Sequence, residues 1–231
     1  MSNGIEKKFY IANILIFIGA IACLIYYDYR GGLWLKGVTS AWFFIHGLIN
    51  LLYARKINLN DFKVLYILEF GLFLGMVADV LLGIEFMVGV VAFALGHVFY
   101  IIAFNLIEKP RFKDLIFVIP ICAISIFVVI GTPYITVEDP IMKKVLIAYA
   151  IIISWMLGKA ISNFVAKRSR FTAIVAVGSI LFLFSDLMLA VDMFGTSSRL
   201  VWILCSYTYW PAQNLLAQSM YHYVNENKRH M

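Results

Sequence analysis

The chain's 231 residues are 63% hydrophobic and only 14% charged, with a mean hydropathy of +0.89. A soluble domain is closer to a quarter charged, so a water-soluble globule is excluded and an all-α, polytopic membrane helix bundle is predicted. The net charge of +6 does not mark a nucleic-acid surface, because the lysines and arginines fall in short loops, where they orient a membrane protein.

A span needs about 20 apolar residues. On that rule eight transmembrane helices are predicted, over 9–27, 33–53, 63–82, 86–107, 113–131, 141–164, 171–193 and 199–223. No small-residue cleavage site follows the first apolar segment, so it reads as a helix and not as a removable signal peptide. The connections are short and polar, and none is long enough to separate domains. A single bundle over residues 1–231 is therefore expected. Thirteen of the nineteen lysines and arginines, from Lys7 and Lys8 to Lys228 and Arg229, collect on one side of this arrangement. Arg30, Lys36, Lys143, Lys144 and Arg199 lie on the other. The positive-inside bias then places both termini in the cytoplasm of a cell membrane.

The second helix bears Lys36, Thr39, Trp42 or Phe43, His46 and Asn50 on one polar stripe. Lys36 enters near the outer end. It either snorkels to the head-group layer or holds an anionic head group there. In the third helix Gly71, Gly75 and Asp79 recur every four residues. They share one stripe, so Asp79 faces a closely packed neighbour and not lipid. Glu69, two turns inside this helix, is expected to have a structural role, paired with Lys159 or Lys63. The fourth helix aligns Gly89, Phe93, His97 and Tyr100. A histidine on such a face is first a neutral hydrogen-bonding partner.

The sixth helix aligns Tyr149, Met156 and Asn163. The seventh repeats the third, with Gly178, Phe182 and Asp186 on one stripe. The eighth bears Tyr207, Trp210, Gln213, Asn214, Gln218 and Tyr221, either as glue between helices or as the lining of a lipid cavity. Asp79 lies 16 residues after Lys63, and Asp186 lies 15 after Phe171. At 1.5 Å per residue both sit about 22–24 Å above the starts of their helices. A carboxylate in hydrocarbon is costly and marks function by default. Two at one depth on packing faces are expected to act as a pair. Cys23, Cys122 and Cys205 stand singly and suggest neither disulfides nor a metal cluster.

The segments Gly75–Gly83, Phe93–Tyr100 (with Gly96-His97-x-x-Tyr100), Phe184–Ala190 (with Asp186-x-x-Leu189) and Tyr209–Gln213 resemble the YhhN-like family of eight-helix membrane proteins. The animal members of that family are lysoplasmalogenases. Lys36 and Thr39 stand where the family has a Lys-Pro-Leu-x-Thr run, with Gly37 in place of the proline. The resemblance implies hydrolysis of the vinyl ether bond of a lysophospholipid, with Asp79 and Asp186 as the catalytic pair. Lys36, His97, Tyr100, Tyr149, Tyr207, Gln213 and Asn214 are the expected substrate-binding residues, and Arg199 is a further candidate for the phosphate.

That chemistry needs an acid, an anion and a base, which two adjacent carboxylates supply without metal or cofactor. Two other classes compete. Intramembrane Asp and His also mark proton-coupled transporters, but no inverted repeat and few broken helices are visible. A metal-dependent lipid amidase or esterase would use His46, His97, Asp79 and Asp186 as ligands.

Overall fold

Apolar segments in hydrocarbon must satisfy their backbone groups internally, which favours long helices. The computed structural model describes residues 2–228 and contains α1 (Ser2–Arg30), α2 (Leu33–Lys56), α3 (Lys63–Leu82), α4 (Phe86–Ile107), α5 (Leu115–Gly131), α6 (Pro140–Ala166), α7 (Arg170–Phe194) and α8 (Arg199–Asn227). All eight predicted helices are present. Arg229, counted above among the positive charges, lies outside the described residues.

Local chemistry sets several helix ends. Gly31 and Gly32 separate α1 from α2 with φ of 65° and 98°, a region where a side chain would be strained. Asp139 caps α6 ahead of Pro140, and the Ser169 hydroxyl accepts the Thr172 N–H at the start of α7. The fifth helix begins two residues later than predicted. The Asp114 carboxylate accepts the backbone N–H of Arg111 (2.9 Å), and Phe112–Asp114 forms a 3-10 turn instead.

Seven helices are long and apolar enough to cross a membrane. The exception is α8, whose amides and hydroxyls dilute its hydropathy. Those groups point into the protein: Gln213, Asn214 and Ser219 are buried, and α8 packs against α1, α2, α3 and α7. Its polarity therefore answers to neighbouring helices and not to lipid.

Six helices close into a ring in the order α2, α3, α4, α6, α7, α8, with α1 outside against α2 and α8 and α5 outside against α6 and α7. The two outer helices turn Ile11, Leu15, Ile18, Ile116, Ile119 and Phe127 to the exterior. Within the ring the pattern of neighbours repeats between the first four helices and the last four. α3 pairs with α4 as α7 pairs with α8, and α2 meets α8 as α6 meets α4. Asp79 and Asp186 are each the seventeenth residue of their helix. The repeat is parallel, which accounts for the lack of an inverted one in the sequence. The small-residue stripe of α3 is used as predicted. A Cβ on Gly71 would lie 2.5 Å from the Tyr100 ring, and one on Gly75 would lie 2.4 Å from the Gln213 amide.

The expected pairing of Glu69 is corrected. α3 and α6 are not neighbours, so Lys159 cannot serve it. The Lys159 ammonium instead donates to Asp114 Oδ2 (2.9 Å) and to the Lys109 carbonyl. Ser162 donates to the other Asp114 oxygen (2.5 Å). Lys63 is six residues from Glu69 and projects from another face of α3. Both Glu69 carboxyl oxygens are buried beside Gly47 without a hydrogen-bond partner among the described residues.

Candidate active site

Asp79 is set by α2 and α8. From α2, one turn after Lys36, Ser40 donates its hydroxyl to Asp79 Oδ2 (2.5 Å). From α8, the Tyr209 hydroxyl donates to the same oxygen (2.7 Å). The Lys36 ammonium stands 3.8 Å from Oδ1. Asp79 is 2% exposed, so these donors replace the water that the carboxylate has lost. A second layer holds the donors. Trp210 Nε1 donates to Ser40 (3.3 Å), Gln213 donates to the Tyr209 oxygen (3.3 Å), and Tyr100 donates to Gln213 Oε1 (2.8 Å).

Asp186 is set in the corresponding way by α6 and α4. The Tyr149 hydroxyl donates to Asp186 Oδ2. It lies 2.7 Å from His97 Nε2, which is itself 3.5 Å from the same carboxylate oxygen. Tyr149 has one proton and spends it on Asp186, so it accepts from His97, which puts the imidazole proton on Nε2. Nδ1 is buried without a partner among the described residues. Phe182 packs edge-on against both His97 (4.7 Å between centroids) and Tyr209 (5.4 Å), joining the two carboxylate environments through one ring.

The two carboxylates open on one cavity of about 200 Å³, with Lys36, Tyr209, Trp210 and Cys205 also in its wall. Asp79 faces it fully buried, and Asp186 is slightly more open, with a side chain 13% exposed. Leu82, Phe86, Phe93, Asp186 and Leu189 also border a second, apolar cavity between α4, α5, α6 and α7.

The remaining predicted residues divide. Lys36, Asp79 and Asp186 meet at the polar cavity, and His97 and Tyr149 stand directly behind Asp186. Gln213 stands two hydrogen bonds behind Asp79 and Tyr100 three, and neither lines the cavity. Tyr207 turns away and donates to Asp28 (3.0 Å), which also pairs with Arg199. Arg199 is thus engaged with a carboxylate and stacks on Trp202 at 4.7 Å.

Asn214 belongs to another cluster. Its carbonyl faces His46 Nδ1 (3.2 Å), and Asn13 faces His46 Nε2 (2.8 Å) and bonds Asn50. The single polar stripe expected on α2 therefore serves different neighbours. Lys36 and the adjacent Ser40 reach Asp79, whereas His46 and Asn50 face α1 and α8. Among the described residues no group of three or more His, Cys, Asp or Glu side chains is placed to hold a metal ion.

Ser40 and Tyr209 were missing from the predicted site. Each was within reach of a spacing argument, since Ser40 is four residues after Lys36 and Tyr209 is four before Gln213. In a comparison with known protein families, residues 39–220 match the YhhN family, a stretch that includes both aspartates and begins after Lys36. No curated protein and no solved structure matches the chain.

Proposed function

The chain belongs to the YhhN family, and from that premise we propose that it is a membrane hydrolase that cleaves the vinyl ether bond of lysoplasmalogen-type lysophospholipids. The observation behind this reading is that two carboxylates, one buried and one partly buried, each fitted with its own hydrogen-bond donors, face one cavity in a membrane-spanning bundle. A vinyl ether is stable to base and labile to acid. One carboxylic acid protonates the carbon beta to the ether oxygen and leaves an oxocarbenium ion at the adjacent carbon. The other carboxylate steadies that cation and takes a proton from the water that adds to it. The hemiacetal then breaks its carbon–oxygen bond, releasing a fatty aldehyde and the glycerophospho-head group. Either aspartate can take either part, so the roles belong to the pair.

Lys36, at the cavity wall, supplies the positive charge suited to the phosphate. Tyr149 and His97 hold the Asp186 carboxylate in place, and Ser40 and Tyr209 hold that of Asp79. The expected result is aldehyde release from a lysoplasmalogen by purified protein. Asp79→Asn and Asp186→Asn should each abolish it while leaving the melting temperature within a few degrees of wild type. An active variant at either position rules out the pair.

The hydrogen-bonded run from Asp79 through Tyr209 and Gln213 to Tyr100 also suits a proton-coupled carrier. Proton-driven solute uptake into proteoliposomes, with no aldehyde formed, would favour that reading.

A further inference from the structure

The apolar cavity beside Asp186 has no part in the chemistry above. It lies between α4, α5, α6 and α7, and its wall is almost wholly hydrocarbon: Val90, Val129, Leu146, Ala150, Ile153 and Leu183 are typical. Only Ser125, Tyr149 and Asp186 bring polar side chains to it. Its volume is about 40 Å³. The carboxylate cavity next to it admits about 200 Å³. At one end the two buried hydroxyls of Ser125 and Ser154 bond to each other, with Ser154 donating (3.2 Å).

A narrow, apolar slot excludes a charged head group, whose desolvation nothing there would offset. A polymethylene chain needs no hydrogen-bond partner and gains from each methylene removed from water. The slot and the polar cavity share Asp186, Phe93, Leu82, Phe86 and Leu189. A molecule with its chain in the first and an anionic head near Lys36 in the second therefore has its chain–head junction at the carboxylates. The outer wall is α5, which packs only against α6 and α7, besides the turn that leads into it, and is interrupted by Pro120. It is thus the wall least held in place as a chain enters.

We propose that the slot between α4, α5, α6 and α7 is the hydrocarbon-chain subsite of the protein's lipid substrate, and that its wall limits the length of chain it accepts. This rests on the lipid-hydrolase reading for its kinetic consequence, but not for the binding it describes.

Two measurements test it. In the first, a saturated-ether lysophospholipid, which has no vinyl ether to cleave, has a photoreactive diazirine at the end of a hexadecyl chain. Irradiated with the full-length protein in lipid nanodiscs, it should label the Ser125–Val129 or Leu146–Ile153 segments, and excess unlabelled hexadecyl lysolipid should suppress the labelling. Labelling confined to the exterior of α1 and α5, or labelling that excess lipid does not reduce, overturns the subsite.

In the second, aldehyde release is compared for hexadecenyl and octenyl substrates. Val129→Trp should lower kcat/KM for the long chain by about tenfold or more relative to the short one, the effect of excluding about two methylenes. Equal loss on both chains, or an unchanged ratio, overturns the assignment of chain length to this wall. If wild-type protein releases no aldehyde, the hydrolase reading fails, and the labelling result alone decides whether a lipid chain occupies the slot.

Discussion

Tyr149 is the residue on which the environment of Asp186 turns. Its one hydroxyl donates to the carboxylate and accepts from His97. A hydrogen bond to a charged group contributes about 1.5–3 kcal/mol. Tyr149→Phe is therefore expected to lower the rate of aldehyde release by roughly ten- to a hundredfold, measured by steady-state kinetics, without lowering the melting temperature. Lys159 offers the contrasting case of a buried charge with a structural purpose. Its side chain is 0% exposed and its partner Asp114 is 7% exposed, at the turn that leads into α5. Lys159→Met takes from Asp114 its buried cation and leaves only the more exposed Arg111, 3.7 Å from the other oxygen, a loss approaching the figure of about 3–5 kcal/mol for a buried pair broken on one side. The expected outcome is a lower unfolding temperature in detergent, with the residual folded protein still active, because neither residue lines either cavity.

At the level of elements, glycines decide how closely the helices of the inner ring approach. Gly89, near the start of α4, meets the end of α3, where a Cβ would lie 2.6 Å from the Leu82 backbone nitrogen and 2.7 Å from its Cα. Backbone does not swing aside as a side-chain tip does. Alanine gains about 1 kcal/mol in helix propensity over glycine, whereas overpacking costs about 1–3 kcal/mol, so the clash prevails. Gly89→Ala is expected to lower thermal stability, read as the midpoint of helix loss by circular dichroism, and to reduce activity by displacing the α3 end that holds Asp79. The parallel repeat has a related consequence. α3 and α7 each place an aspartate at the same height, and the helix beside each supplies its donors: α2 and α8 for Asp79, α6 and α4 for Asp186. Each carboxylate accepts from a tyrosine phenol, but Asp79 also has the Ser40 hydroxyl and the Lys36 ammonium beside it, whereas Asp186 has the His97 imidazole. The two carboxylates are therefore alike in position and unlike in surroundings, which suits a division of labour between acid and base.

For the whole molecule, the excess of positive charge at the end that holds both termini predicts orientation. Reporter fusions at either terminus are expected to show cytoplasmic placement, and a periplasmic or extracellular signal from both would reverse it. In that orientation the carboxylate cavity belongs to the outer half of the bilayer, and the Lys159–Asp114 pair to the cytoplasmic end.

The number and extent of the helices were legible in the sequence because a hydrocarbon core leaves a chain few options: about 20 apolar residues must form a helix. The inward direction of Asp79 was legible too, since Gly71 and Gly75 mark a face that only another helix can cover. The common depth of the two aspartates followed from the helical rise and was matched by their equal places in α3 and α7. Partnership was a different matter. Nothing in the order of residues indicates that α4 sits beside α6 and not beside α5, so the joining of His97 to Tyr149, and of Lys159 to Asp114 in place of Glu69, waited for the ring to close. Periodicity assigns a residue to a face of its own helix; only packing decides which neighbour that face meets. Tyr207 and Gln213 belong to one helix, yet the first ends on Asp28 and the second behind Asp79.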